Sequence, residues 1–338
     1  MKAPILCFCC GLLLAAAAWA DVPEELAYAI RTGDGQGVTR LLENGAAVNG
    51  LDKHGLTPLM NAVDSDRPDM AELVLGSGAD ALAVSKHGVP TIIFAAERGN
   101  MKSLQLLVAA GADVNTRLGN ETSAIRAAVW SGHLDAVKFL VANGANALNW
   151  SAMESNPVGE AAASGNPDLV AYVVSLGANV NVQDGCGRTP LIVAAENSMT
   201  RALKALIKAR ADPNIIGKDG ADHPEEHTAL SWAAEMGNTE AVKALIAAGA
   251  DVHAINDAAI RNADLYGYPE IVKLLEGAGA RLTPEGLAHP ATWRSNGAQF
   301  TGAPAEAPSP EAGLFAFEKI PPLPAWRGNG AAGRCGWR

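Results

Sequence analysis

Large aromatic side chains are scarce in this sequence of 338 residues. Phe, Trp and Tyr together make up 5% of it, although hydrophobic residues make up 49%. Alanine occupies 65 positions, so much of the apolar content consists of methyl groups. A core built from bulky aromatic residues is therefore excluded, and the composition favours helices that pack closely through small side chains.

Positive charge is scarce as well. The sequence has 26 Lys and Arg residues against 36 Asp and Glu residues, and its net charge is −10. No segment concentrates the basic residues, whereas proteins that follow a phosphate backbone need such clusters. We therefore expect no nucleic-acid partner, and we expect the acidic residues mainly at turns on the solvated surface.

The sequence has one long apolar run, at residues 5–18, and Lys2 precedes it. Ala18-Trp19-Ala20 then supplies the small-x-small pattern of a signal peptidase site. This arrangement predicts a signal peptide over residues 1–20, with an uncleaved anchor as the alternative. No other stretch reaches the 18 apolar residues of a transmembrane helix, so we expect a periplasmic or secreted protein with no membrane span after cleavage.

Cysteine is rare, with five residues in the chain. Cys7, Cys9 and Cys10 lie within the predicted signal peptide, which leaves Cys186 and Cys335 in the mature protein. An oxidising compartment allows these two thiols to form a disulfide. The alternative is two free thiols.

A 33-residue period organises the rest of the chain. The dipeptide Gly-Ala begins at residues 45, 78, 111, 144 and 177, and Arg210-Ala211 follows at the same spacing. Gly249 comes after 39 residues and Gly279 after a further 30. A repeat of this length indicates stacked supersecondary units that share one continuous core.

Each unit predicts two helices joined by a turn. Apolar residues at i, i+3 and i+4 precede each Gly-Ala, as in Leu104, Leu107 and Val108, and this spacing is one face of a helix that the glycine ends. Earlier in each unit stands a residue that caps a helix N-terminus; these residues are Thr57, Ser123, Asn156, Thr189 and Thr228. Alanine pairs follow five and six residues after Asn156, Thr189 and Thr228, and another pair stands at Ala95-Ala96; they let neighbouring helices approach closely.

These motifs together resemble the ankyrin repeat. The resemblance rests on Asp52-x-x-Gly55-x-Thr57-Pro58-Leu59, on Gly99-Asn100 and on Gly111-Ala112-Asp113-Val114-Asn115. It implies an all-α repeat solenoid of stacked helix-turn-helix units with hairpin-like loops. The solenoid is expected over residues 21–283, in about eight units including the caps. Two positions differ from the repeat pattern: Arg210 replaces the turn glycine, and Val89-Pro90-Thr91 reverses the Thr-Pro order. The connections between units are predicted to be less regular at these two positions.

The last 55 residues do not follow the period. Residues 284–338 hold 8 Pro and 8 Gly, a composition typical of disorder. If Cys186 were bonded to Cys335, this tail would lie along the binding face; the alternative is a tail that docks nowhere.

The resemblance also implies where a partner binds, because ankyrin-like solenoids use the hairpin tips and the inner helices. Carried over position by position, this gives Lys53, His54, Lys86, His87, Arg98, Leu118, Trp130, Trp150, Met153, Arg188 and Met236. Trp150 occupies a hairpin phase that holds Leu51, Val84 and Gln183 elsewhere. It is predicted to be either an interface hot spot or a packing contact with the neighbouring unit.

One segment offers possible catalytic chemistry. His223-Pro224-Glu225-Glu226-His227 has the H-x-x-E-H order of inverted zinc proteases, which place both histidines on one helix face. Pro224 and the helix start predicted at Thr228 put the segment in a loop instead, so His223 and His227 are only a weak alternative for a metal site. We expect no catalytic residues and no cofactor.

The sequence therefore predicts a non-enzymatic, monomeric protein–protein interaction scaffold that is exported and binds an unidentified protein. One alternative is an immunity or inhibitor protein that acts on a toxin or an enzyme. Another is a metal-dependent hydrolase that uses the 221–227 loop.

Overall fold

The computed structural model describes residues 22–118, 122–148, 156–219 and 223–282, which form a stack of helix pairs. The first four pairs are α1 (Val22–Thr32) and α2 (Gly35–Glu43), α3 (Pro58–Asp64) and α4 (Pro68–Gly76), α5 (Thr91–Arg98) and α6 (Met101–Ala109), and α7 (Ala124–Trp130) and α8 (Leu134–Ala142). The other four are α9 (Pro157–Ala163) and α10 (Pro167–Ser175), α11 (Pro190–Glu196) and α12 (Thr200–Lys208), α13 (Ala229–Glu235) and α14 (Thr239–Ala247), and α15 (Ala254–Leu265) and α16 (Pro269–Gly277).

Two short antiparallel hairpins complete the described structure. Strand β1 (Arg117–Leu118) pairs with β2 (Thr122–Ser123), and β3 (Gly217–Asp219) pairs with β4 (His223–His227). Each hairpin lies directly before the first helix of a pair. The all-α repeat solenoid expected from the sequence is confirmed.

The predicted helix caps form as expected. Thr57, Ser123, Asn156, Thr189 and Thr228 each accept a hydrogen bond from the backbone N–H three residues later. Each bond satisfies one of the amide groups that a helix N-terminus leaves without an intrahelical partner. The capping residues therefore fix the start of five first helices in the same register.

Small side chains bring the first helices together. The four alanine pairs at 95–96, 161–162, 194–195 and 233–234 are fully buried, and the first helices of neighbouring pairs contact one another more extensively than most second helices do. Closer approach on one side of a stack curves it toward that side. The first helices therefore line the concave side, and Leu104, Leu107 and their equivalents on the second helices fill the core behind them.

The joint at Arg210 is more regular than the sequence suggests. Arg210 adopts φ 63°, in the left-handed region that glycine occupies at Gly111. Its backbone N–H donates to Ile207 O at 2.9 Å, and the next amide donates to Leu206 O at 3.0 Å, which repeats the bonds made around Gly111. The expectation of a less regular joint here was wrong, because the arginine accepts the strained conformation rather than changing the turn.

The segment predicted as a loop before Thr228 is also different from expectation. Residues His223–His227 form strand β4 and pair with β3, so the six additional residues of this unit extend a hairpin. A second irregularity opens the last pair, where Ile255, Asn256 and Asp257 have φ values between 54° and 59°. This left-handed turn takes the place of a hairpin before the regular part of α15.

Candidate functional site: the inner face

One position at or beside the end of each first helix repeats down the concave side. We call this row of side chains the inner face; its members are Arg31, Asp64, Glu97, Trp130, Ala163, Glu196, Glu235 and, in the last pair, Tyr266, which follows the equivalent residue Leu265. From Arg31 to Glu196 they lie 33 residues apart, and all are exposed or half-buried. The stack therefore presents four carboxylates, one guanidinium and two aromatic rings along a single line.

Arginines from neighbouring positions hold several of the carboxylates. Arg98 Nη2 lies 2.8 Å from Asp64 Oδ1, and Arg188 Nη1 lies 3.0 Å from Glu196 Oε2. Glu235 accepts hydrogen bonds from Asn262 Nδ2 at 3.1 Å and from Tyr266 Oη at 3.3 Å. These bonds fix the carboxylates on a rigid surface, which lowers the entropy that a partner would have to remove.

Burial raises the pKa of two inner-face carboxyls from their ordinary values. For Asp64 the loss of hydration raises the pKa, and Arg98 and Arg31 oppose it. For Glu97 burial again raises the pKa, with Arg98 opposing it. This acidic row was not predicted from the sequence, although the recurrence of Asp or Glu three residues after the position of Asn61 in each repeat is a signal that indicates it.

Exposed apolar side chains lie among these charges. Trp130 is 42% exposed, Tyr266 is 42% exposed, and Met236, which follows Glu235, is 40% exposed. The predicted partner residues Trp130 and Met236 are thus accessible on the concave side. Large exposed apolar groups on a rigid, partly charged surface are typical of protein-binding sites.

Two aromatic rings one turn earlier in the first helices lie deeper. Phe94 is buried, and the Arg98 guanidinium lies 5.4 Å from the centre of its ring. Trp232 is half-buried, and the His227 ring stacks on it at a centroid distance of 4.6 Å. Both rings therefore pack beneath the inner-face side chains, and little of their surface is accessible to a partner.

The hairpin tips carry the predicted basic residues. Lys53, His54, Lys86 and His87 are all exposed. The backbone N–H of His54 donates to Asp52 Oδ1 at 2.9 Å. The Lys86 side chain crosses Gly55 of the preceding tip so closely that a Cβ there would lie 2.2 Å from Lys86 Cδ. The two tips are therefore packed together, with their charged ends in solvent.

Three other predicted partner residues are less accessible than expected. Arg188 is only 6% exposed, because it bonds with Asp184 and Glu196 inside the protein. Leu118 is half-buried against the core, and the Arg98 guanidinium is engaged with Asp64. The sequence pattern located their positions on the concave side and did not reveal these internal contacts.

Some predicted residues fall outside the described part of the chain. Trp150, Met153 and Cys335 lie there, so their predicted roles remain predictions. Cys186 lies at the tip of the turn before α11, where its N–H donates to Asp184 Oδ1 at 3.0 Å, and it is disulfide-bonded. Its pairing with Cys335 also remains a prediction.

The H-x-x-E-H segment lacks the secondary structure that its chemistry needs. Its backbone runs as strand β4, whereas inverted zinc proteases hold both histidines on one helix. The side chains of residues 223–225 are not among those described, and His227 is stacked on Trp232. Within the described residues no group of three or more His, Cys, Asp or Glu side chains is placed to hold a metal ion.

The described helices also show no membrane-spanning character. Within residues 22–118, 122–148, 156–219 and 223–282, none is both long enough and apolar enough to cross a bilayer.

Comparisons with known proteins agree with this architecture. A family model for ankyrin repeats (3 copies) matches residues 92–184 and 158–256. The crystal structure of the human ASB11 ankyrin repeat domain is similar to this chain with a TM-score of 0.56 and 24% sequence identity; the match covers 67% of this chain and 98% of that domain. No curated protein matches the chain in sequence. Residues 92–256 thus consist of ankyrin repeats, and the period, the caps and the paired helices extend the same repeat architecture over the described residues on both sides.

Proposed function

We propose that the protein is exported from the cytoplasm and acts outside it as a non-enzymatic scaffold that binds a protein partner on its inner face. Ankyrin repeats generally mediate protein–protein interaction and are typically non-enzymatic. The predicted signal peptide over residues 1–20 supports export. The observation that carries the binding role is the row of fixed carboxylates with exposed Trp130, Met236 and Tyr266 between them.

The shape of the surface favours a macromolecular partner over a small substrate. Small-molecule sites are concave pockets that bury most of their ligand, whereas the inner face is an open row that extends over eight helix pairs. A partner that contacts several units gains binding energy from each of them. The partner is therefore expected to be a protein segment or surface with basic and apolar groups.

Trp130→Ala tests this role. The protein is purified from the exported fraction with its partner, the partner is identified by mass spectrometry, and the affinity is measured with both proteins pure. Loss of a central aromatic anchor is expected to weaken binding by about tenfold or more. Leu82→Ala is the matched control, since Leu82 is 61% exposed but lies outside the first helices.

Equal affinities of the two variants would contradict binding at the inner face. Export is tested separately by the N-terminus of the mature protein, which is expected at Asp21. Recovery of an intact N-terminus from the cytoplasm would contradict export and leave the binding result standing. Stoichiometric zinc that is lost in the His223→Ala, His227→Ala double variant would instead support the hydrolase alternative.

A further inference from the structure

The surroundings of Cys186 combine a disulfide with an acidic surface. Cys186 is disulfide-bonded and is the only cysteine within the described residues, so its partner lies outside them. The turn that carries Cys186 and the helices α11 and α13 hold three carboxylates, those of Asp184, Glu196 and Glu235, and one guanidinium, that of Arg188. This half of the concave side is therefore net negative.

Residues 319–338 carry charge that is complementary to this acidic surface. Residues 319–338 contain four basic residues, Lys319, Arg327, Arg334 and Arg338, and no Asp or Glu. They also contain Trp326 and Trp337, whose rings match the exposed apolar groups of Met236 and Tyr266. The tail's remaining 35 residues hold all four of its Glu residues and one basic residue, Arg294, so the net positive charge of the tail lies in the segment around Cys335.

We propose that residues 319–338 of the same chain occupy the inner face along α11, α13 and α15, with Cys335 bonded to Cys186. The proposal rests on the inner face being the binding surface, as proposed above. It makes this segment an internal occupant that a partner must displace.

The length of the intervening chain suits this arrangement. Cys335 lies 53 residues beyond Leu282, the last described residue. A flexible chain of that length has a root-mean-square span of about 40 Å. The distance from the end of α16 back to the Cys186 turn is between two and three helix-pair spacings. At about 10 Å for each spacing, this distance is roughly 25 Å. Since the span of the linker is close to the distance, the effective concentration of the segment at the inner face is high.

The bond requires an oxidant, and the exported compartment supplies that class of reagent as protein disulfides. One thiolate attacks the disulfide of the oxidant and forms a mixed disulfide, which the second thiolate then resolves. Cys186 and Cys335 together lose two protons and two electrons, and the disulfide of the oxidant is reduced to two thiols. Cys7, Cys9 and Cys10 leave with the predicted signal peptide, so Cys335 is the remaining partner within the chain.

The first test is a peptide map of the mature full-length protein under non-reducing conditions. A peptide pair containing Cys186 and Cys335, recovered from monomeric protein, is the expected result. Free thiols at both positions, or a bond that joins two chains, would overturn the proposal. This measurement needs no partner, so it can fail while the Trp130→Ala result stands.

The second test is the rate of trypsin cleavage after Arg327. In the oxidised wild-type protein this rate is expected to be at least about tenfold lower than in Cys335→Ser, because the tether raises the local concentration of the segment. Within the Cys335→Ser background, adding Glu196→Gln and Glu235→Gln should speed cleavage further. The matched control pair is Glu43→Gln and Glu72→Gln, at exposed positions of α2 and α4. Adding this pair should leave the cleavage rate unchanged. Equal rates in all of these proteins would show that the segment does not dock.

Discussion

Arg188 lies between Asp184 and Glu196 and bonds to both. Its Nε donates to Asp184 Oδ2 at 3.0 Å, and its Nη1 donates to Glu196 Oε2 at 3.0 Å. Burial alone would lower the pKa of Arg188, but the attraction and hydrogen bonds of the two carboxylates more than offset this, and the pKa is raised. The three side chains connect the turn that carries Cys186 to the end of α11.

Arg188→Met is expected to lower the free energy of unfolding by about 3–5 kcal/mol, because it leaves the buried Asp184 carboxylate without its cation. Urea unfolding followed by circular dichroism measures the change. Arg98→Met is the control: its pair with Asp64 is more exposed, and a loss of about 1 kcal/mol or less is expected. A similar loss in the two variants would argue against a structural role specific to Arg188.

Arg210→Gly is expected to raise the free energy of unfolding by about 1 kcal/mol. Arg210 holds φ 63°, a region that costs a non-glycine residue roughly 1–2 kcal/mol. Thermal and urea unfolding measure the gain. Arg210→Ala removes the same charge but keeps Cβ, so it should give little or none of this increase, and an equal gain in both variants would assign the effect to charge.

Gly99→Ala is expected to destabilise the protein more than Gly111→Ala, although the two glycines flank the same helix, α6. Both have positive φ, so each substitution costs about 1 kcal/mol from backbone strain. A Cβ at Gly99 would also lie 2.5 Å from the His133 ring, whereas nothing lies within 4 Å of one at Gly111. Moving the ring would break its 3.0 Å contact with the Glu97 carbonyl. Equal losses in urea unfolding would be the contrary result.

Glu97→Gln is expected to be more stable than the wild type at pH 7 and to lose that advantage in acid. Burial raises the pKa of Glu97 in the folded state, so the folded protein binds a proton more readily than the unfolded chain does. The charged carboxylate therefore costs stability above the raised pKa, and this cost disappears as pH falls below about 4. Urea unfolding at several pH values between 4 and 8 measures the difference in unfolding free energy between the variant and the wild type. Glu72→Gln, at an exposed position, is the control. An advantage that does not change with pH would contradict the explanation.

Much of the fold follows from local features of the sequence. The caps at Thr57 and Thr189 act within three residues, and the alanine pairs act between units that share one period, so both could be predicted without knowing the tertiary structure. Arg188 could not be assigned correctly in this way. Its burial depends on Asp184 four residues before it and Glu196 eight residues after it, which come together only when the turn packs against α11.

The inner face illustrates the same limit. Trp130 and Met236 were predicted from their phase in the repeat, and the structure places both in accessible positions. The role of Glu196 and Glu235 emerges only from stacking, because each carboxylate alone resembles an ordinary helix-end residue. The left-handed run at residues 255–257 has no glycine, so nothing in its composition indicated that conformation.

The β3–β4 hairpin changes how this surface can vary. Six additional residues enter between α12 and α13, yet α13 contacts α11 about as extensively as other neighbouring first helices contact each other. The stack therefore tolerates growth at a hairpin without loss of register. The length of this hairpin can therefore vary, and with it the surface that a partner would meet, while α13 stays packed on α11.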